Sequence, residues 1–195
     1  WGYDPGVQLL ANRGYAVLQV NFRASSGFGQ TWMNAGDHQF GPGAVLGDVS
    51  DAVRWATGEG IADPKRVAIM GGSFGGYATL CGLAFTPELY ACGVDIVGPS
   101  NLRTLIESFP PYWAARRQRW LNRLGHRVAH GSLNRAISPR FHVDTIRAPL
   151  LIGHGANDPR AKLAESEQMV KALREAGRDV TFVVYSNEGH GFQRE

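Results

Sequence analysis

The sequence predicts an α/β fold built around a mostly parallel sheet. Three observations carry that expectation. Short continuous apolar runs recur along the chain, the pattern of strands buried on both faces. Segments of helical periodicity lie between them, as parallel strands require of their crossovers. One of the strand-to-helix junctions, "MGGSFGGYATL" at 70–80, sets Ser73 among Gly71, Gly72, Gly75 and Gly76. Glycine costs backbone entropy and adds nothing to a core, so such a cluster indicates a sharp turn or a close approach.

The elements follow in order. Strands are expected at 15–22 (YAVLQVNF), 66–70 (RVAIM), 91–98 (ACGVDIVG), 149–155 (PLLIGHG) and 180–185 (VTFVVY). A helix over 43–60 has its apolar stripe at Leu46, Val49, Val53 and Ala56. A second follows the glycine turn in YATLCGLAF, and a third runs from Ala161 to Gly177 with Leu163, Val170 and Leu173 on one face. Gly177 is the expected C-terminal cap. There is no internal repeat and no low-complexity linker.

Bulk composition narrows the function classes. The 195 residues make one domain or a large part of one; 44% are hydrophobic and 19% charged, as in a globular protein. No apolar run approaches the ~18–20 residues that span a bilayer. The opening "WGYDPGVQLL" has no signal-peptide pattern, so a cytoplasmic location is expected. A net charge of +3 is too small to argue for nucleic acid. Cys81 and Cys92 are expected to be free core thiols rather than a disulfide framework.

Segment 108–147 is the exception to the strand–helix alternation. It holds Arg116, Arg117, Arg119, Arg123, Arg127, Arg135, Arg140 and Arg147, with no acid between Glu107 and Asp144. It reads either as an insertion that attracts an anionic group near the site or as a solvated helical excursion. The second carries more weight, since charge runs usually face solvent.

Gly71-Gly72-Ser73-Phe74-Gly75 fits G-x-S-x-G between a strand and a helix, the context of a nucleophile elbow. A serine hydroxyl needs a base to take its proton, and the base needs an orienting acid. Asp158, in LLIGHGANDPR, lies just beyond one expected strand; His190, in VVYSNEGHGF, lies just beyond the next. The order Ser73, Asp158, His190 therefore falls at the carboxyl ends of three strands, where open α/β sheets bind ligands. Asp95 is the alternative acid, though a carboxylate inside a strand is more often structural. His154 reads as a support for the acid loop. His154, Asp158 and His190 as a metal site would leave the serine elbow unexplained. His38, His126, His130 and His142 follow no expected strand and read as surface or packing residues.

Taken together, LANRGYAVLQVNFRASSGFG, DPKRVAIMGGSFGGYATL, GVDIVGPSNL, LLIGHGANDPR and NEGHGF resemble the prolyl oligopeptidase family of serine peptidases, in particular the α/β-hydrolase catalytic domain of its acylaminoacyl-peptidase-like branch. The resemblance runs through nearly the whole chain. It implies Ser73 as nucleophile, Asp158 as acid and His190 as base, with the Phe74 amide as one oxyanion-hole donor. It implies that Arg160 holds a peptide carbonyl of the substrate. Hydrophobic residues after the GPS turn, Leu105, Ile106, Tyr112 and Trp113, read equally as a wall for the residue before the scissile bond or as ordinary core.

The family pattern also carries departures. Ala24 stands where relatives usually have glycine, a mild change, and RLGHRVAHGSLNRAISP resembles the family least. GPSNLRTLIESFPPYW lacks the tyrosine pair of the dipeptidyl-peptidase branch, which disfavours dipeptidyl release. The resemblance further implies an α/β-hydrolase domain incomplete at both ends. An upstream β-propeller, a central strand ending in a glycine-rich turn with the second oxyanion donor, and a last helix would all lie outside residues 1–195. The expected activity is hydrolysis of short peptides through an acyl-enzyme, with no metal or organic cofactor. No nucleic-acid or membrane partner is expected, and homo-oligomer formation is left open. A carboxylesterase of the same fold and an inactive fragment are the alternatives.

Overall fold

The structure is a computed structural model that describes residues 2–125 and 131–192. The expected readings at His126, Arg127 and His130 lie outside the described residues. Four strands form one sheet: β1 (Ala68–Gly72), β2 (Cys92–Ile96), β3 (Leu150–Gly155) and β4 (Val180–Tyr185). They lie in the order β1-β2-β3-β4 and every pairing is parallel. Each connection therefore returns to the same end of the sheet, and the loops after β1, β3 and β4 share its carboxyl edge.

Chain order of the helices is α1 (Pro5–Asn12), α2 (Gln30–Asn34), α3 (Ala44–Gly58), α4 (Phe74–Phe85), α5 (Leu102–Glu107), α6 (Ala114–Leu124), α7 (Gly131–Ile137) and α8 (Leu163–Glu175). Helix α1 has no apolar stripe to announce it, but its start was written in the sequence. Asp4 Oδ1 accepts the amides of Gly6 at 2.9 Å and Val7 at 3.1 Å, with Pro5 in the first turn. The end of α8 is a Schellman cap. The Arg178 amide donates to the Leu173 carbonyl and the Gly177 amide to that of Arg174, and Gly177 takes φ +66°.

Helix α4 packs on β1 and β2, and α8 on β3 and β4. Leu80, Ile152, Met169 and Leu173 are fully enclosed between these helices and the sheet. A second core gathers Phe40, Tyr77, Leu105, Leu121 and Leu124 beneath the carboxyl edge. There the Tyr77 hydroxyl accepts from the Gly41 amide at 2.8 Å and donates to the Ile137 carbonyl at 2.7 Å. The opposite face of the sheet is apolar and open: Met70 is 58% and Leu151 38% exposed.

The expected strand at 15–22 is not formed. The segment is irregular, and Tyr15, Val17 and Leu18 are exposed. An extended apolar segment becomes a strand only by pairing, and no described strand pairs with this one. Ala24, just after it, has φ +86°. A side chain there costs ~1–2 kcal/mol relative to the ordinary right-handed region, so the alanine is a larger departure than it first reads. Ala24→Gly is expected to raise stability by ~0.5–1 kcal/mol after the greater unfolded-state entropy of glycine is subtracted. Thermal unfolding of both forms checks this.

Among the described residues no helix is long and apolar enough to cross a membrane.

Candidate active site

At the end of β1 the chain turns straight into α4, and Ser73 occupies the corner with φ +57° and ψ −114°. A serine held in this region is strained, and the surrounding contacts hold it there. The Ser73 amide donates to the Ile96 carbonyl on β2 at 2.8 Å, and the Ser73 carbonyl accepts from Tyr77 in the first turn of α4. Two of the four glycines are sterically required. A Cβ on Gly71 would collide with the backbone of Gly75, and one on Gly76 with Asp95 and Gly98. They let strand, turn and helix close on one another, and the turn then presents the serine side chain.

Asp158 and His190 arrive from the loops after β3 and β4, which are tied together. The Asn157 amide donates to the Glu188 carbonyl, and Asn157 Nδ2 to the Ser186 carbonyl at 3.0 Å. The Asp158 side chain is fully buried. Its Oδ1 accepts the amides of Arg160 at 2.7 Å and Ala161 at 3.0 Å, and its Oδ2 accepts from His190 Nδ1 at 2.6 Å. Burial pushes this carboxyl up, but the bonds from His190 and the two amides outweigh it and hold it below the usual carboxylate range. An ionised acceptor at Nδ1 places the ring proton there. Nε2 is then left to accept from Ser73 Oγ, 2.8 Å away. The three residues brought together from the ends of three strands thus form one hydrogen-bonded chain.

His154 lies beneath this chain, fully enclosed. Its Nδ1 lies 2.7 Å from Ser166 Oγ and its Nε2 3.0 Å from the Ala161 carbonyl, so both nitrogens are occupied by neighbours. Burial lowers its proton affinity and favours the neutral ring. Neutral His154 therefore braces the acid loop from below, donating from Nε2 to the same residue whose amide holds Asp158.

Asp95 sits apart from both histidines, fully buried where Gly76 and Gly98 meet. Oδ1 accepts the Gly98 amide at 2.9 Å and Oδ2 finds no partner among the described residues. Burial pushes its carboxyl up to about 7. The folded protein thus keeps a proton that the unfolded chain releases near pH 4. Stability is expected to fall as pH rises from about 4 to 7, by up to ~4 kcal/mol in the linkage limit. Asp95→Asn, which cannot ionise, should flatten that slope and melt higher than the parent at pH 8 but not at pH 4. Melting curves across the range check it.

A cavity of about 420 Å³ opens beside Ser73 and His190. Its walls come from distant parts of the chain: Phe22, Phe40, Phe74, Leu105, Phe109, Trp113 and Trp120. The Phe74 ring is the hub, 5.6 Å from Phe22 and Tyr77 and edge-on to Phe40 at 5.8 Å. Of the expected wall residues, Leu105 and Trp113 reach the cavity. Ile106, the next residue round α5, turns into the core, and Tyr112 stands 81% exposed at the surface. Neither lines the cavity. Arg160 does, and so do Arg116, Arg119 and Arg123 of α6. The arginine segment is therefore more than a solvated face. Trp113, Arg116, Trp120 and Arg123 recur at three and four residues, the helical signal that would have put them on one side. Phe22 and Phe40 carried no such signal.

The sequence profile described as "Prolyl oligopeptidase family" matches residues 1–195. The chain is 52% identical over its whole length to dipeptidyl aminopeptidase BIII of Pseudoxanthomonas mexicana, covering 28% of that protein. It is 46% identical, again over its whole length, to dipeptidyl peptidase family member 6 of Caenorhabditis elegans, covering 26% of it. Among solved structures, the acylaminoacyl peptidase of Pyrococcus horikoshii superposes with a TM-score of 0.85 at 25% identity, over 94% of this chain and 29% of that one. The chain thus spans little more than a quarter of the length of these proteins.

Proposed function

The chain belongs to the prolyl oligopeptidase family, and from that membership we propose that it carries the nucleophile, acid and base of a serine peptidase acting on short peptides. The observation that carries the proposal is the unbroken series Ser73 Oγ, His190 Nε2, His190 Nδ1, Asp158 Oδ2, at 2.8 Å and 2.6 Å, on the edge of an aromatic cavity. In this reading Ser73 Oγ attacks the scissile carbonyl as His190 Nε2 takes its proton. The Phe74 amide, in the first turn of α4 and so without an intrahelical acceptor, donates to the oxyanion. His190 returns the proton to the leaving amine, and the acyl-enzyme is released by a water that His190 deprotonates. A fluorophosphonate probe tests the core of this. It should label the protein at Ser73 alone, and labelling that persists at full extent in Ser73→Ala would overturn the assignment.

Arg160 supports peptides over simple esters. Its side chain reaches the cavity while its amide is spent on Asp158. A guanidinium bonded to a substrate carbonyl helps only substrates that have that carbonyl. Arg160→Ala is therefore expected to lower kcat/KM for a peptide by about ten- to a hundredfold and to change a small acyl ester much less. Equal losses on both would return Arg160 to a structural role and restore the carboxylesterase reading.

Two modes of release each have support. The two relatives at 46–52% identity are named for dipeptidyl release, against the sequence-based expectation. Among the described residues, however, the cavity wall offers no carboxylate for a free terminal ammonium, which suits a blocked amino terminus. Hydrolysis of a free-amino dipeptidyl anilide set against an N-acetyl aminoacyl anilide separates them.

A further inference from the structure

The cavity beside Ser73 has apolar walls but a cationic mouth. Arg116, Arg119, Arg123 and Arg160 all line it, and among the described residues no aspartate or glutamate does. Arg123 is neutralised in place: its Nε bonds Asp37 at 2.8 Å and its Nη2 donates to the Met33 carbonyl. Arg116 and Arg119 differ. Among the described residues no carboxylate pairs with either. The Arg116 guanidinium lies over the Trp113 ring, 4.6 Å from its centre, which holds its plane while leaving its edge N–H groups free to donate.

Unpaired guanidinium groups gathered at a reaction centre make a fixed positive field where substrate enters. A carboxylate matches them in charge and in the forked geometry of their donors. It is also the anion that peptides carry. We propose that Arg116 and Arg119 are specificity-determining residues that select peptides bearing a carboxylate close to the scissile bond. This rests on the peptidase reading above. An acidic side chain and a free terminal carboxyl group offer the same chemistry, so both are tested. Because the two arginines are exposed, solvent and salt moderate the gain. It should be about tenfold in kcat/KM at low ionic strength, from contact and steering together.

The test uses the protein as its gene encodes it. One arm compares anilides, which have no terminal carboxyl group, with Glu or Gln beside the scissile bond. The other compares uncharged-side-chain peptides ending in a free acid or an amide. In at least one arm the anionic member should be favoured about tenfold, less so as salt rises. The preference should shrink severalfold in R116Q/R119Q and persist in R117Q, which removes one charge from the same helix at a residue that does not line the cavity. Fluorophosphonate labelling of each variant shows that its site is assembled. Equal turnover of both members in both arms, a preference that survives R116Q/R119Q, or an equal loss in R117Q overturns the proposal and leaves the peptidase reading standing. Absence of both labelling and turnover in the parent protein overturns the peptidase reading, and this proposal with it.

Discussion

Ser73→Ala is expected to lower kcat by about 10⁴–10⁶ without unfolding the protein. Residues that act as a unit in nucleophilic catalysis fail together, so removing the oxygen proposed to attack forfeits almost the whole effect of the assembly. The backbone at the corner need not change. The strain at φ +57° belongs to any residue with a Cβ, and the Ser73 amide keeps its bond to Ile96. What disappears is one hydroxyl bonded to His190. Melting temperature should move little while activity on every peptide falls to background. A variant that retains a tenth of its activity would remove Ser73 from the mechanism.

Asp158→Asn is expected to cost about 10⁴ in kcat. The amide keeps the shape but loses the charge, and it changes what His190 meets. Oδ1 already accepts two backbone amides, so an asparagine keeps its oxygen there and turns its NH₂ toward His190. The ring must then accept at Nδ1 and carry its proton on Nε2. That nitrogen can no longer take a proton from Ser73. Fluorophosphonate labelling should slow in parallel with turnover. If labelling remains fast while turnover falls, the acid acts on substrate and not through the ring.

Much of this was readable in the sequence, for definite reasons. β1 to β4 announce themselves because each is a short, mostly apolar run, as a parallel sheet demands of its strands, bounded by turn residues. Asp158 and His190 were legible because they stand three and five residues beyond β3 and β4. Residues 15–22 misled because apolar content reports an appetite for pairing, and says nothing of whether a neighbour is there. Leu105 and Ile106 are adjacent on a helix, so their fates depend on its rotation, which is set by packing. The cavity wall was the least legible part. Phe22 and Phe40 lie on irregular segments and reach Phe74 only once the carboxyl edge is built. Arg116 and Arg119 became relevant only when α6 settled with that side against the site.

Ser73 and His190 are 117 residues apart in sequence, yet share one hydrogen bond. Every strand between them is added in parallel, and a parallel pair cannot form from a local turn. The chain must close a long loop for each pairing before any contact repays it, which makes such sheets slow to fold. β4 joins the sheet only through β3, so His190 reaches Ser73 only after the whole series has docked. On the proposed mechanism, serine reactivity is therefore a clock for the end of folding. During refolding, capture of Ser73 by a fluorophosphonate should trail the recovery of helical signal from segments such as α8, whose turns are local, and appear with the last kinetic phase.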